Sequence, residues 1–240
     1  MSHSLGHITA LWRYPVKSMR GEALQSLAID ERGAVGDRYF ALKDNDGRLG
    51  SGKTTKRFRQ IEGLLGFTAA TENGTVIIRF PDGRAMRADD PAIGAALTGA
   101  CGMEIKVESE DQDRVMHRDS APLHLLTEAS IAWLRARLPD VAIDARRFRP
   151  NIVIAGVAAG LVEQEWLGRE IAIGDAVIVK AARSTVRCVM TTQPQAELGA
   201  APEVLRKLAA DNAASLGIYA EVLRPGTVEV GDELRFVRDR

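Results

Sequence analysis

Short apolar clusters separated by turn signals fill the first hundred positions and predict strands. Ile8 to Arg13 mixes apolar and polar residues and is punctuated by Pro15, while Leu24, Leu27 and Ile29 anchor a second candidate. Gly33 and Gly36 bracket a turn before a strand at Arg38 to Leu42. Asn45-Asp46-Gly47 reads as a turn, as does Pro81-Asp82-Gly83 after the β-branched stretch Val76 to Phe80. Asp90-Pro91 predicts an N-cap followed by Pro at the first helical position, opening a short helix to about Leu97.

Beyond Met103 the signals alternate between strand and helix. Glu104 to Glu108 and Asn151 to Ala155 predict strands. Thr127 is placed to cap a helix with Ile131, Leu134 and Leu138 on one face. Glu170 to Ile173 and Ala176 to Lys180 predict a hairpin across Gly174-Asp175. Pro202 opens another helix with Val204, Leu205 and Leu208 inward. The remainder reads as strands at Ile218 to Leu223, Val228 to Val230 and Leu234 to Val237, with a turn at Pro225-Gly226. Many short strands with few helices predict a mainly β (α+β) protein of two β-rich domains, 1–100 and 101–240.

Composition narrows the function classes. The 240 residues carry 32 basic and 32 acidic side chains, and 45% are apolar. A balanced charge argues against coating nucleic acid or an anionic membrane through overall charge, and the apolar content argues against disorder. Only seven of the basic residues are Lys and 25 are Arg, a type suited to bidentate anion binding. Two cysteines, Cys101 and Cys188, exclude a disulfide scaffold and an all-cysteine zinc site within one chain. No apolar run approaches the roughly 20 residues that span a bilayer, and the N-terminus lacks a signal-peptide pattern. The expected setting is soluble, reducing and cytoplasmic.

Gly47-Arg48-Leu49-Gly50-Ser51-Gly52-Lys53-Thr54 matches the phosphate-cradling G-x-x-x-x-G-K-[ST] at every fixed position. A helix from about Thr55 to Leu65 would suit that reading. The segment before it does not, because Arg38 to Asp46 is not a continuous apolar run and Asp44 and Asp46 would repel phosphate. We read the stretch as a Gly-rich basic loop, and keep a nucleotide phosphohydrolase as an alternative function.

Cys188 lies in Arg187-Cys188-Val189-Met190-Thr191-Thr192, where a cation and hydroxyls beside a thiol favour thiolate, a nucleophile and soft metal ligand. On this segment alone, a small inert core residue is the better reading, and Cys101 keeps it. In Arg149-Pro150-Asn151, Pro biases Arg149 toward an extended backbone. The side chains of Arg149 and Asn151 would then share one side, pairing an anion-binding fork with an amide. A solvated run, Arg146 to Arg149, explains the same residues equally well. Lys17-Ser18 and Asp37-Arg38 are weaker candidates, each more often an exposed turn. His3, His7, His117 and His124 show no metal-ligand spacing, and His124 reads as a satisfied core histidine.

As an ordered set, these segments resemble a family. Tyr14-Pro15-Val16-Lys17-Ser18 with Gly36-Asp37-Arg38-Tyr39 is similar to the N-terminal β-barrel domain that accompanies MOSC domains. Phe148-Arg149-Pro150-Asn151-Ile152-Val153-Ile154, Ile173-Gly174-Asp175, Arg187-Cys188 with Thr191-Thr192, and Pro225 to Asp232 resemble the MOSC domain itself. Within that group the chain resembles the mitochondrial amidoxime-reducing components and their bacterial counterparts. The resemblance implies a molybdenum held by a pyranopterin dithiolene, with Cys188 as protein ligand and catalytic centre. It implies that Lys17, Ser18, Arg38, Ser120, Arg149 and Asn151 contact the cofactor.

The activity so implied is reduction of small N-hydroxylated or N-oxide-type compounds, the metal cycling between Mo(VI) and Mo(IV). Some bacterial relatives carry a ferredoxin domain. No cysteine follows Cys188 here, so the resemblance implies electrons from a separate ferredoxin- or cytochrome-type protein, with no nucleic-acid or membrane partner. Thr191-Thr192-Gln193-Pro194 is one residue shorter than the family's Thr-Thr-Val-Asp-Pro and lacks its Asp, which leaves the substrate rim open. A cofactor or sulfur carrier working with a pyridoxal-phosphate sulfurase is the other alternative; no pyridoxal-phosphate site is identified in the chain.

Overall fold

The computed structural model describes residues 4–110, 117 and 121–237. Its centre is a closed barrel of seven strands: β1 (Ser4–Arg13), β2 (Leu123–Thr127), β3 (Ile152–Ala155), β4 (Glu170–Ile173), β5 (Val177–Val186), β6 (Ser215–Arg224) and β7 (Glu233–Phe236). The order around the barrel is β3-β2-β6-β5-β4-β7-β1, and β1 pairs back onto β3. Only β2 and β3 run parallel; the other neighbours are antiparallel.

Period-2 alternation explains what fills the barrel. Leu123 and Leu125, Ile152 and Ile154, Ile171 and Ile173, Val177 and Val179, and Ile218 and Ala220 are all fully buried in one cluster with Ile8, Leu11 and Leu234. The same cluster takes in Leu27, Ile29, Ala34 and Val228 from a small sheet of Ser26–Asp30, Gly33–Ala34 and Gly226–Glu229. Residues before position 35 therefore pack with residues after 120, and β1 sits between β3 and β7.

A second cluster gathers Val16, Met19, Leu42, Ile61, Leu64, Phe67, Ile78, Phe80, Leu97 and Ile105. It is sandwiched by the meander Thr68–Glu72, Thr75–Arg79, Ala85–Arg87 and by the sheet of Lys106–Ser109, Phe40–Lys43, Leu49–Ser51 and Phe58–Gln60. Three α-helices occur among the described residues: α1 (Ile93–Cys101), α2 (Glu128–Arg137) and α3 (Pro202–Asn212). Helices α2 and α3 cover one side of the barrel, burying Ile131, Leu134, Val204 and Leu208 against Leu126, Phe148 and Leu216.

Local signals set most element ends. Thr127 Oγ1 accepts from the Ser130 N–H at 3.1 Å and caps α2, and Pro202 occupies the first turn of α3. Leu138 falls just past α2, its N–H closing onto Leu134 and Arg135 carbonyls. The Asp90-Pro91 expectation shifts. Asp90 Oδ1 accepts from the Ala92 N–H, so Pro91 stays in a turn, and α1 starts at Ile93 and runs on to Cys101. Gly102 stops it with φ +68°, a left-handed position that glycine adopts at no steric cost.

The helix over 55–65 that a phosphate cradle would need does not form. Leu49–Ser51 pairs parallel with Phe58–Gln60 across a turn, and Ile61 N–H donates to the Ser51 carbonyl. Asp44, within the preceding loop, binds Arg48 through both its backbone N–H and its guanidinium. The strand-then-helix setting of a phosphate cradle does not form, because Phe58 and Gln60 continue a sheet instead.

The barrel interior predicts a contrast in stability. Ile8→Ala, at a fully buried site on β1, should cost about 2–5 kcal/mol. Leu223→Ala, where the side chain is 48% exposed on β6, should change stability by less than about 0.5 kcal/mol. Urea unfolding of both variants measures the difference.

Candidate functional site

One end of the barrel opens into a narrow cleft of about 80 Å³ where segments from across the chain meet. Lys17 and Ser18 enter from the turn after β1, Arg38 from the loop before Phe40–Lys43, and Phe148 and Arg149 from the turn before β3. His124 and Tyr219 project from β2 and β6, and Arg187 and Cys188 follow directly on β5. Four cations and one thiol line the cleft, and none of its described lining residues is acidic.

The backbone is held unusually at three of these positions. Ser18, Arg38 and Arg149 have φ of 64°, 53° and 54°, three of the seven non-glycine residues with positive φ among those described. Such conformations cost of order 1–3 kcal/mol each and persist only where the surroundings enforce them. Here the enforcement is visible. Arg38 N–H donates to the Tyr14 carbonyl at 2.7 Å, Ser18 Oγ donates to the Gly50 carbonyl at 3.0 Å, and Arg149 N–H closes the turn Ala145–Phe148 onto Arg146.

The cations are fixed on a buried aromatic ring. Arg38 and Arg149 lie over Tyr14 at 4.7 and 4.2 Å from its centroid. Asp37 ties the arrangement together, accepting from the Tyr14 N–H at 2.8 Å and pairing with the Arg38 guanidinium. Arg149 Nη1 donates to the Met19 carbonyl, and Arg187 Nη2 to the Phe148 carbonyl at 2.6 Å. Burial pushes the Tyr14 phenol well above its usual value despite Arg149 and Arg38, so it stays protonated and donates to the Pro150 carbonyl. Burial, and then the Arg187 charge, holds His124 well below the ordinary imidazole value, so it is neutral near pH 7.

Two domain models match the sequence: "MOSC domain" over residues 112–235 and "MOSC N-terminal beta barrel domain" over residues 5–135. The chain belongs to the MOSC family. Among its relatives, mouse mitochondrial amidoxime-reducing component 1 is 24% identical over 95% of this chain and 81% of its own length. Bovine mitochondrial amidoxime reducing component 2 is 25% identical over 95% and 82%. Human mitochondrial amidoxime-reducing component 1 is 33% identical, over 50% of this chain and 38% of its own. The YUAD protein from Bacillus subtilis shares the fold over the full length of both chains, with a TM-score of 0.51 at 13% identity.

In this MOSC protein five of the residues singled out in the sequence, Lys17, Ser18, Arg38, Arg149 and Cys188, line the one cleft. Ser120 lies outside the described residues. Asn151 is elsewhere: it is buried in the barrel wall, its Oδ1 accepting from His124 N–H and its Nδ2 donating to the Trp12 carbonyl. The extended geometry expected for Arg149 is also replaced. Pro150 disfavours right-handed helix there, and the tight exit from the turn takes the left-handed alternative. Arg149 and Asn151 therefore face different surroundings.

Cys188 is part-exposed and heads the turn Val189–Thr192. The hydroxyls expected beside its thiol bond backbone instead: Thr191 Oγ1 donates to the Cys188 carbonyl and Thr192 Oγ1 to the Val189 carbonyl. Cys101, on α1, does not line the cleft, and burial raises its thiol. In the sequence Tyr14 stands out only as part of the Tyr14 to Ser18 motif, and His124 only as a core histidine. Their burial against cations from distant segments is what sequence spacing does not carry. No cluster of three His, Cys, Asp or Glu occurs among the described residues, so a metal here would rest on Cys188 and a ligand brought with it.

Asn151→Ala should lose two hydrogen bonds and strand the buried His124 N–H, costing about 1–3 kcal/mol in urea unfolding of the cofactor-free protein. A pH dependence follows from His124 and, similarly, His117, whose burial also lowers its value. Below about pH 6.5 the unfolded chain takes up protons that the native imidazoles refuse. Stability should therefore be full above that pH and fall as pH drops, by up to about 1.4 kcal/mol per unit per group. Unfolding curves between about pH 7 and pH 5 should show a shallower decline for His124→Gln.

Proposed function

We propose that this MOSC protein binds a molybdenum pterin cofactor in the Cys188 cleft and reduces N-hydroxylated or N-oxide-type small molecules. Electrons come from a separate redox protein, in the cytoplasm. One observation carries the reading: a part-exposed thiol shares a cleft with Lys17, Arg38, Arg149 and Arg187, with no acidic residue in the described lining. The names of relatives matched over 95% of the chain, amidoxime-reducing components, support the substrate class.

The donor set suits such a group. A pterin phosphate takes charge-assisted hydrogen bonds, each contributing about 1.5–3 kcal/mol, and Lys17, Arg38 and Arg149 offer them from three directions in the chain. A soft metal takes sulfur, and Cys188 offers Sγ from a backbone pinned by Thr191. When bound, the cofactor would supply the chemistry of taking an oxygen atom from the substrate while giving it two electrons. The chain's own residues bind and orient. Tyr14 holds the Arg38 and Arg149 forks in place, and Asp37 keeps Arg38 charged and directed. Neutral His124, 3.5 Å from Arg187, adds no further positive charge. Both proposed halves contribute: 1–100 through Lys17, Ser18 and Arg38, and 101–240 through Arg149 and Cys188.

Protein made in a cofactor-competent host should carry about one molybdenum per chain. Cys188→Ser should lose the metal and turnover of an N-hydroxylated substrate with an artificial reductant, while Cys101→Ser keeps both. Arg38→Ala and Arg149→Ala should weaken cofactor retention by roughly ten- to a hundredfold with the fold intact. Equal molybdenum in wild type and Cys188→Ser would sink the proposal; bound molybdenum without turnover would favour a carrier.

A further inference from the structure

The Gly-rich stretch that imitates a phosphate cradle in sequence lies at the mouth of the cleft. Gly52 abuts the Cys188 turn so closely that a Cβ there would stand 2.8 Å from Met190 Sδ and 3.4 Å from Val189 Cγ1. Met190 itself lines the cleft. Beyond Gly52, residues 53–59 carry Lys53, Lys56, Arg57 and Arg59, and no acidic residue occurs between Asp46 and Glu62. Lys53 Nζ and the Arg57 guanidinium stand 5.5 and 5.2 Å from the Phe58 ring centroid. From the cleft side, buried Lys17 approaches the same ring at 5.2 Å. Phe58 thus links a cation inside the cleft to cations on the surface.

Several arginines elsewhere on the surface sit in local ion pairs, such as Arg79 with Glu72, Arg84 with Asp82 and Arg87 with Asp89. Lys53, Lys56 and Arg59 form no ion pair with any described carboxylate. In a chain of zero net charge, the positive field of this rim is local and directed.

We infer that the Lys53–Arg59 rim is the docking surface for an acidic electron-donor protein. The inference rests on the reductase reading, which requires electrons from outside the chain. A donor must bring its redox centre close to Cys188, and this is the basic ground beside it. Each docked donor gives up one electron and leaves oxidised. Two such deliveries, with two protons from solvent, balance the removal of one substrate oxygen as water. A nucleic acid fits less well, because the rim's one aromatic ring, Phe58, is already surrounded by three cations and offers poor ground for base stacking. A lipid surface fits less well because no other large apolar residue lies between 53 and 60.

The test titrates two acidic carriers, a [2Fe–2S] ferredoxin and a b-type cytochrome domain, onto the molybdenum-loaded protein by calorimetry at low and high salt. At least one carrier should bind at low salt. Its affinity should fall about tenfold or more in high salt and in Lys53→Glu/Lys56→Glu, with an intermediate loss in Lys53→Gln/Lys56→Gln. Turnover with a small uncharged reductant should be unchanged in both variants, which also reports an intact fold. The inference is overturned if neither carrier binds, if the charge-reversed variant binds as wild type does, or if single-stranded DNA or anionic vesicles bind more tightly with the same charge dependence. Rim-dependent carrier binding without any N-reductase turnover would leave the docking surface in place and remove the reductase reading.

Discussion

Two guanidinium groups stacked on one buried phenol ring set the geometry of this protein's cleft. Arg38 and Arg149 are 111 residues apart, yet both lie over Tyr14. Bringing like charges together away from bulk water is unfavourable unless something compensates. Asp37 compensates in part, pairing with Arg38 while anchoring the Tyr14 backbone. The ring face contributes further attraction, and backbone carbonyls of Met19 and Phe148 take donors from Arg149 and Arg187. Among the described residues lining the cleft every charged side chain is a cation, a lining that suits an anionic ligand.

That contact exists only because the barrel closes through β1. Its far end delivers Tyr14, Lys17 and Ser18, and its pairing with β3 brings the Arg149 turn alongside. Asn151 reinforces the junction by joining the β1 carbonyl at Trp12 to the β2 amide at His124. Its place in the wall makes it a positioning residue for the strands that carry the cleft. Gly217 does similar work from β6: with φ +78°, it leaves room for His124, whose Nε2 would lie 2.4 Å from a Cβ at that position.

Three strained backbone positions lie at the same place. Left-handed backbone at Ser18, Arg38 and Arg149 turns three polar side chains toward one cleft. Arg149 shows most clearly why such a feature escapes sequence rules. The proline after it does bias the backbone away from right-handed helix, but two regions remain open, and the choice depends on how the preceding turn meets the barrel wall. Thr191 and Thr192 make a parallel case. Their nearness to Cys188 in sequence suggested hydroxyls facing the thiol, whereas a tight helical turn offered them backbone carbonyls first.

The sequence by itself determined the strand-rich class, the hairpin at Gly174-Asp175, the Thr127 cap and the helix opened by Pro202. These depend on interactions within a few residues, and local chemistry suffices for them. It also marked Lys17, Ser18, Arg38, Arg149 and Cys188 as an ordered set, through resemblance to a family to which the chain belongs. Only the tertiary structure decided that these five meet, that Asn151 stands apart from them, and that Tyr14 and His124 join them. It alone turned a perfect phosphate-loop spelling into a basic rim, because Phe58–Gln60 paired with Leu49–Ser51 where a helix was required. The physical reason is common to all of these: burial, strand partners and the field of distant charges act between residues far apart in sequence, and no local pattern encodes them.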